Sequence, residues 1–470
     1  MQIPIIKAVT ASENTDYRTR SPLNMIPVPT KTGISDGYLR PADGLLAFGA
    51  DGPGIYRGGI NWDGVAYAVM GTKLVRVTAA GVKAIIGDVG LGGWVTMRYS
   101  FDRLAIASGG RLYYLKDGAL GQVTDPDLGV ALDVEWIDGY FITTDGTNLV
   151  QTELNNPSEI NPLKYGSSEA DPDPVVRIIK LRNELCAVNR YTIEVFDNIG
   201  GTGFAFQRIE GAMIPKGAVG THACVKFSDS LAFVGGGREE APSVYLGQSG
   251  VATKVATREI ETILSEFSEE VLSNIMMDVQ QEKSHAFLRI HLPDRTLVFD
   301  FAATQALGEP IWHVLSSSIE GLSQYRAQGL FYCYDKWIGG DPQQPRLCTL
   351  SQVISSHYGE KISWEFGTPI IYNAGNDAIM LELELVGLPG RAVFGADPTI
   401  WTSYSTDGEK WSQERPIKAG RAGEHDKRLC WRTNGRIRYV RMQRFRGTSD
   451  AHISVAALEV AFEPLFVRPR

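Results

Sequence analysis

The sequence predicts an all-β chain: a β-propeller of six or seven blades with a short helical insertion, followed by a C-terminal β-sandwich. Three observations carry this reading. A short phrase recurs seven times in the first three-quarters of the chain, glycine and proline punctuate it throughout, and the strand rhythm changes near residue 358. The phrase is a small polar residue that rises into an apolar, β-rich run. It reads DGVAYAV from Asp63, DRLAIAS from Asp102, DGYFITT from Asp138, NELCAVN from Asn183 and DSLAFVG from Asp229. Looser copies are SHAFLRI from Ser284 and QGLFYCY from Gln328. After each, a turn leads to a second run such as TKLVRV from Thr72 or RTLVFD from Arg295. Copies start 36 to 55 residues apart. Small antiparallel sheets at such a period cannot bury both faces alone, and stacking them around an axis does so.

Composition agrees. A chain of 470 residues exceeds what one core supports, so more than one domain is expected. The 50 glycines and 23 prolines suit many short strands. A net charge of −8 argues against a protein that grips nucleic acid over its whole surface. No apolar run approaches membrane-spanning length, so no membrane insertion is expected. MQIPIIKAV has no charged stretch leading into a long apolar one, so no secretory signal is expected. Five scattered cysteines (Cys186, Cys224, Cys333, Cys348, Cys430) without a CxxC pair read as reduced residues of a protein made in a cytosol.

Along the chain, residues 1–60 carry no repeat, hold five prolines from Pro22 to Pro53, and read as an extended arm. Residues 61–357 are assigned to the propeller, with Asn155 to Pro174 as a polar loop between blades. From Thr257 to about 282 the rhythm breaks. Ile260, Ile263, Leu264, Phe267, Val271, Leu272 and Ile275 recur at helical spacing, with Thr257 and Ser268 as N-caps. This predicts one bent or two short helices packed between the fifth and sixth blades. Residues 358–470 alternate apolar and polar side chains in KISWEFG, IMLELELVG, TIWTSYSTDG and ISVAALEVAF, as strands of a sandwich do.

Enzyme signals are weak. The seven histidines show no metal-ligand spacing, no GxxxxGK[ST] or GxSxG appears, and neither cofactor, metal nor catalytic residue is expected. STDGEKW from Ser405 is one residue short of the Asp-box turn of sialidases and reads as a hairpin tip at Asp407-Gly408, with Trp411 beneath. Asp426 to Gly447 is the strongest charge signal, with eight cations within 20 positions. Alternation puts Arg436, Arg438, Arg444 and Arg446 on one face, while Arg441 has the other parity, which implies a turn or bulge near Tyr439. Arginines this dense in an acidic chain point to docking on an acidic partner or a phosphate backbone, against a merely solvated sheet edge. Arg432, Arg436, Arg438, Arg441 and Arg444 are the docking candidates.

Several long phrases resemble the packaged-DNA stabilisation proteins, or tail nozzle proteins, of short-tailed bacteriophages. They include GYLR from Gly37, PKGAVGTHACVKFSDSLAF from Pro215, APSVYLGQSGVATKVATREIETIL from Ala241, EPIWHVL from Glu309 and HDKRLCWRTNGRIRYV from His425. The resemblance implies a homo-hexameric tube at the virion tail tip, below the portal and its adaptor ring. Such a tube closes the channel after packaging, retains double-stranded DNA without reading its sequence, and releases it at ejection. Tailspikes or fibres attach to its flanks. In that setting Leu23, Met25, Ile26, Tyr38 and Arg40 of the arm become candidates for adaptor contact. The rival readings are a sialidase-like or other carbohydrate-processing propeller and a plain interaction scaffold.

Overall fold

The computed structural model describes residues 2–3, 5, 21–30, 32–154, 156–372, 377–407, 410–438 and 440–465. Seven small antiparallel sheets follow one another around an axis. The innermost strands are Tyr56–Trp62, Thr96–Tyr99, Asp133–Ile137, Val175–Leu181, Cys224–Phe227, Met276–Glu282 and Gln328–Cys333, and each lies against the next around a closed ring. The propeller therefore has seven blades. In blades one to six the recurring phrase is the second strand, and its polar opener lies in the turn from the first strand; in blade seven the loose copy at Gln328 is the inner strand itself, and Lys336–Gly340 is the second. In five of these turns one residue is left-handed: the opener itself at Asp63 (φ 51°) and Asp138 (φ 49°), and the residue just before the opener at Arg182 (φ 57°), Ser228 (φ 53°) and Lys283 (φ 53°). Short polar side chains tolerate that conformation well, which suits Asp63 and Asp138, while the other Asp, Asn and Ser openers serve as ordinary turn formers.

Blade seven is completed from the other end of the chain. Its outermost strand, Gly44–Ala47, pairs antiparallel with Leu347–Ser351, Leu46 opposite Thr349. First and last blades then pack through Tyr56. Its ring lies over Gly340, where an added Cβ would stand 2.0 Å from the ring, and its hydroxyl donates to the Gly329 carbonyl at 2.7 Å.

The segment before this strand does not extend away from the molecule. Met25–Val28 pairs with Tyr38–Pro41, which continues onto Ser454–Pro464. These arm strands extend one sheet of the sandwich, whose remaining members include Ala378–Leu388 and Leu429–Arg432. The facing sheet holds Ser363–Gly367, Val440–Thr448, Thr399–Ser405 and Arg415–Lys418. Between them lie Trp364, Phe366, Trp431 and Phe445, with Phe366 stacked on Phe445 at 5.3 Å. Met25 and Leu39 of the arm sit in this same core, as do Ala303 and Ile311 from blade six. The sandwich is thus seated on the outer edge of the propeller.

Two helices stand between blades five and six: α1 (Arg258–Ser265) and α2 (Glu269–Ser273). Ile260, Ile263, Leu264 and Leu272 are buried against Val234, Leu288 and Phe299 of the flanking blades. The Ser268 hydroxyl caps α2 by accepting from Val271 N, whereas Thr257 makes no side-chain cap. Helical spacing carried the expected insertion to about residue 282, but Met276–Glu282 is the inner strand of blade six. It is paired along its whole length with His285–His291, and that pairing overrides local preference. The loop expected at Asn155 to Pro174 contains another strand, Ile160–Ser167, the outermost of blade three; Asn155 itself lies outside the described residues. A third helix, α3 (Phe301–Leu307), was not expected. Asp300 caps it through Ala303 N and Gly308 (φ 76°) ends it, the usual sequence signals for a short helix.

Gly340→Ala should destabilise the chain by about 1–3 kcal/mol, as overpacking does. Gly121→Ala, where an added Cβ meets open space, should leave stability unchanged. Denaturant unfolding of both variants is the check.

Candidate functional site

Several buried charges in the propeller tie one blade to the next. Arg57 of blade one donates to the carbonyls of Gly90 (2.7 Å) and Gly93 (2.7 Å) and to the Ser108 hydroxyl of blade two (2.9 Å). Arg98 of blade two meets Glu135 of blade three at 2.8 Å. Asp133 of blade three accepts from Ile178 N of blade four at 2.9 Å, and Arg177 of blade four donates to the Thr221 carbonyl before blade five at 2.6 Å. The seam between blades five and six is apolar, with Phe227 and Val234 facing Leu288 and Leu297. Asp278 of blade six binds His291 at 2.8 Å and accepts from Leu330 N of blade seven at 3.2 Å. A buried charge left without its partner is costly, so these ties resist blade separation.

A second set of ties holds propeller to sandwich. Asn24, in the left-handed conformation (φ 51°) and 3% exposed, is the centre of it. Its amide donates to the carbonyls of Ser316 in the propeller (2.9 Å) and Ser363 in the sandwich (2.7 Å), and its oxygen accepts from Ser316 N (3.0 Å). The adjacent Leu23 exchanges backbone hydrogen bonds with Glu365 at 2.8 and 3.1 Å. Arg326 of blade seven pairs with Asp341 at 2.8 Å and reaches Glu360 of the connecting segment at 3.0 Å. Beside it His357 is buried and shares a hydrogen bond with the Ser317 hydroxyl at 2.8 Å. Burial, with the Arg326 charge, pulls the His357 imidazole down to about 3.

These contacts correct the reading of the arm. Met25 is fully buried in the sandwich core, and Ile26 is buried among Ala42, Leu45, Phe287 and Leu315. Neither can reach an adaptor, because their apolar surface is already covered by this chain. Leu23, Tyr38 and Arg40 are half-buried, with Arg40 bound to Asp43 at 2.7 Å.

The arginine-rich segment is divided between the two sheets of the sandwich. Arg432 and Arg436 belong to the sheet that carries the arm, Arg441 and Arg444 to the facing one. Arg441 is a correction: it points inward and is 2% exposed, donates to the Asn434 carbonyl at 2.6 Å, and lies 3.8 Å over the Tyr404 ring. Its opposite parity put it inside, and burial pulls its guanidinium down to about 10. Arg436 is paired with Asp377, Arg446 with Glu414, and Arg444 stacks on Trp411 at 4.3 Å near Glu414. Arg432 and Arg438 are exposed and form no ion pair among the described residues. Tyr439, where a bulge was expected, lies outside those residues. Sequence reasoning missed the acidic partners because they come from strands remote in the chain.

Other candidates from the sequence have structural roles here. In STDGEKW, Asp407 accepts from Ser405 Oγ at 2.9 Å and from Lys410 N at 2.8 Å, which closes a turn; Gly408 is outside the described residues. His285 is bound to Asp300 at 2.6 Å, and His291 to Asp278 and Thr296. Glu382, Glu384 and Cys430 converge, but the Arg428 guanidinium is bound to Glu384, and burial pushes the Cys430 thiol up to about 11.

A ring closed by its own N-terminal strand and clamped to a sandwich, with several of its buried charges placed at seams, is a two-body β scaffold. The model described as "Bacteriophage P22 Gp10, beta-propeller" matches residues 1–355, and that described as "Bacteriophage P22 Gp10, beta-sandwich" matches residues 363–463. The chain belongs to this family of phage packaged-DNA stabilisation proteins, and it is a structural component of a virion tail. Tail hub protein gp10 of Salmonella phage P22 is 29% identical over 484 residues, 98% of this chain and 99% of that protein. Among solved structures, the Pan2 WD40 domain of Neurospora crassa (TM-score 0.42, 10% identity) covers 66% of this chain and 94% of its own. The extracellular domain of BT4673 from B. thetaiotaomicron (TM-score 0.44, 8% identity) covers 83% and 48%. These two likenesses are too loose to bear on function.

The His357 shift fixes a pH dependence. An unfolded imidazole titrates near 6.5, so below that pH the unfolded chain binds a proton that the folded chain refuses until about 3. The stability contributed by neutral His357 is full above about pH 6.5 and is lost as pH falls through that window. His313 and His452 shift in the same direction, chiefly through burial. The denaturant midpoint should drop between pH 7 and 4.5, and less steeply in His357→Gln.

Proposed function

We propose that this chain is the nozzle subunit of a phage tail. In this reading six copies form a tube on a portal-side adaptor ring, close the DNA channel after packaging, hold the genome and open for ejection. The observation that carries it is the closure of the propeller by Gly44–Ala47 together with the Asn24 clamp to the sandwich. That arrangement makes one chain a stiff wall segment suited to internal pressure. The net charge of −8 supports passage of double-stranded DNA without adhesion or sequence-specific contact. Catalysis has no part in this role.

The exposed Arg432 and Arg438 are the residues we assign to docking of a tailspike or fibre, with Arg436 and Arg444 able to contribute only by exchanging their present carboxylate partners. Leu23, Tyr38 and Arg40, the half-buried part of the arm, are the remaining adaptor-contact candidates. Two measurements test the role. Purified chain mixed with the adaptor ring should sediment as an assembly carrying six copies, and failure to join the ring contradicts the proposal. Arg432→Ala with Arg438→Ala should leave unfolding unchanged but weaken spike or fibre attachment; tails carrying their full complement after that change rule out the docking assignment.

A further inference from the structure

The register of the inner strands places one residue from each blade at the same level around the propeller axis, next to the last residue before the turn into the second strand. Blades one to four contribute Asn61, Arg98, Trp136 and Lys180; the others contribute Lys226, Gln281 and Tyr332. None of the seven is buried. In most blades the neighbouring inward positions are apolar and covered, so this level is a collar at one mouth of the propeller.

Its chemistry differs from the surface around it. The turns that ring the same mouth carry exposed carboxylates at Asp63, Asp102, Asp138, Asp229 and Asp335. The collar inside them has three cations and no carboxylate. Arg98 is neutralised by Glu135 at 2.8 Å. That leaves Lys180 and Lys226 on adjacent blades without an ion pair among the described residues. The Lys180 ammonium lies 5.4 Å from the Trp136 ring centroid, and Phe101, almost wholly exposed, meets Trp136 edge-on at 5.5 Å. The remaining positions are two amides and a phenol, which are donors and acceptors for hydroxyl groups.

We propose that this mouth binds an acidic saccharide, a short sugar chain bearing carboxylates. Lys180 and Lys226 take the anionic groups, the exposed aromatic edge of Phe101 and Trp136 packs on the C–H face of a ring, and Asn61 and Gln281 serve the hydroxyls. The surrounding carboxylates decide between anions: a long polyanion such as nucleic acid would lie across them and be repelled, whereas a compact sugar stays inside the collar. The site is independent of the nozzle role, since it uses neither the sandwich nor the arm.

Calorimetric titration of the full chain with tetragalacturonate tests this, with a neutral galactose tetrasaccharide and a thymidine tetranucleotide as the other arms. The acidic sugar should bind, more weakly as salt rises, and the neutral sugar should not. The double variant Lys180→Gln, Lys226→Gln should lose affinity by about tenfold or more with unchanged thermal unfolding. No binding of tetragalacturonate, equal binding by the double variant, or tighter binding of the tetranucleotide overturns the proposal.

Discussion

Pairing of Gly44–Ala47 with Leu347–Ser351 is the constraint on which the rest of the molecule depends. A seven-bladed ring built in strict chain order would leave its last sheet one strand short, with an open edge facing solvent. Taking that strand from the N-terminal segment joins residues some 300 positions apart and turns a linear stack into a closed one. It also fixes the segment just before it. With Gly44 anchored in blade seven, Tyr38–Pro41 and Met25–Val28 lie within reach of the sandwich and become part of its sheet. One stretch of about two dozen residues therefore closes the propeller and seats the second domain on it.

Charge in this chain serves mechanics before recognition. Arg57, Arg98, Asp133, Arg177 and Asp278 each reach across a seam, and their partners are often backbone groups. A carboxylate or guanidinium bound to backbone groups of the adjacent blade makes sliding costly, because movement strands a desolvated charge. Apolar contact alone, as between blades five and six, resists separation but is less demanding of register. The combination suits a component that must hold its shape under load, and it explains why so many titratable groups are buried in a protein without an assembled reaction centre among its described residues.

Much of the fold was legible because its marks are local. A small polar turn residue precedes the apolar run in blades one to six, and that turn repeats with the period. The α1 stripe at Ile260, Ile263 and Leu264 was legible for the same reason. What the sequence concealed depends on distant pairing. Met25 and Ile26 read as an apolar phrase in need of a partner, and nothing local tells whether that partner is another subunit or this chain's own sandwich. Met276–Glu282 follows helical spacing until His285–His291 captures it. The odd parity of Arg441 marked an inward-facing residue but reads equally as a bulge, and the carboxylates that neutralise Arg436, Arg444 and Arg446 come from Asp377, Glu365 and Glu414, which only the folded strands bring there.

The most direct test is hydrogen exchange on a chain that lacks its first 50 residues, compared with the full chain. If the N-terminal segment closes the ring and seats the sandwich, amides of Leu347–Ser351 and Ser454–Pro464 lose protection together, while those of blades two to four keep theirs. Unchanged protection at both strands would contradict the closure, and with it the single stiff body inferred for this tail protein.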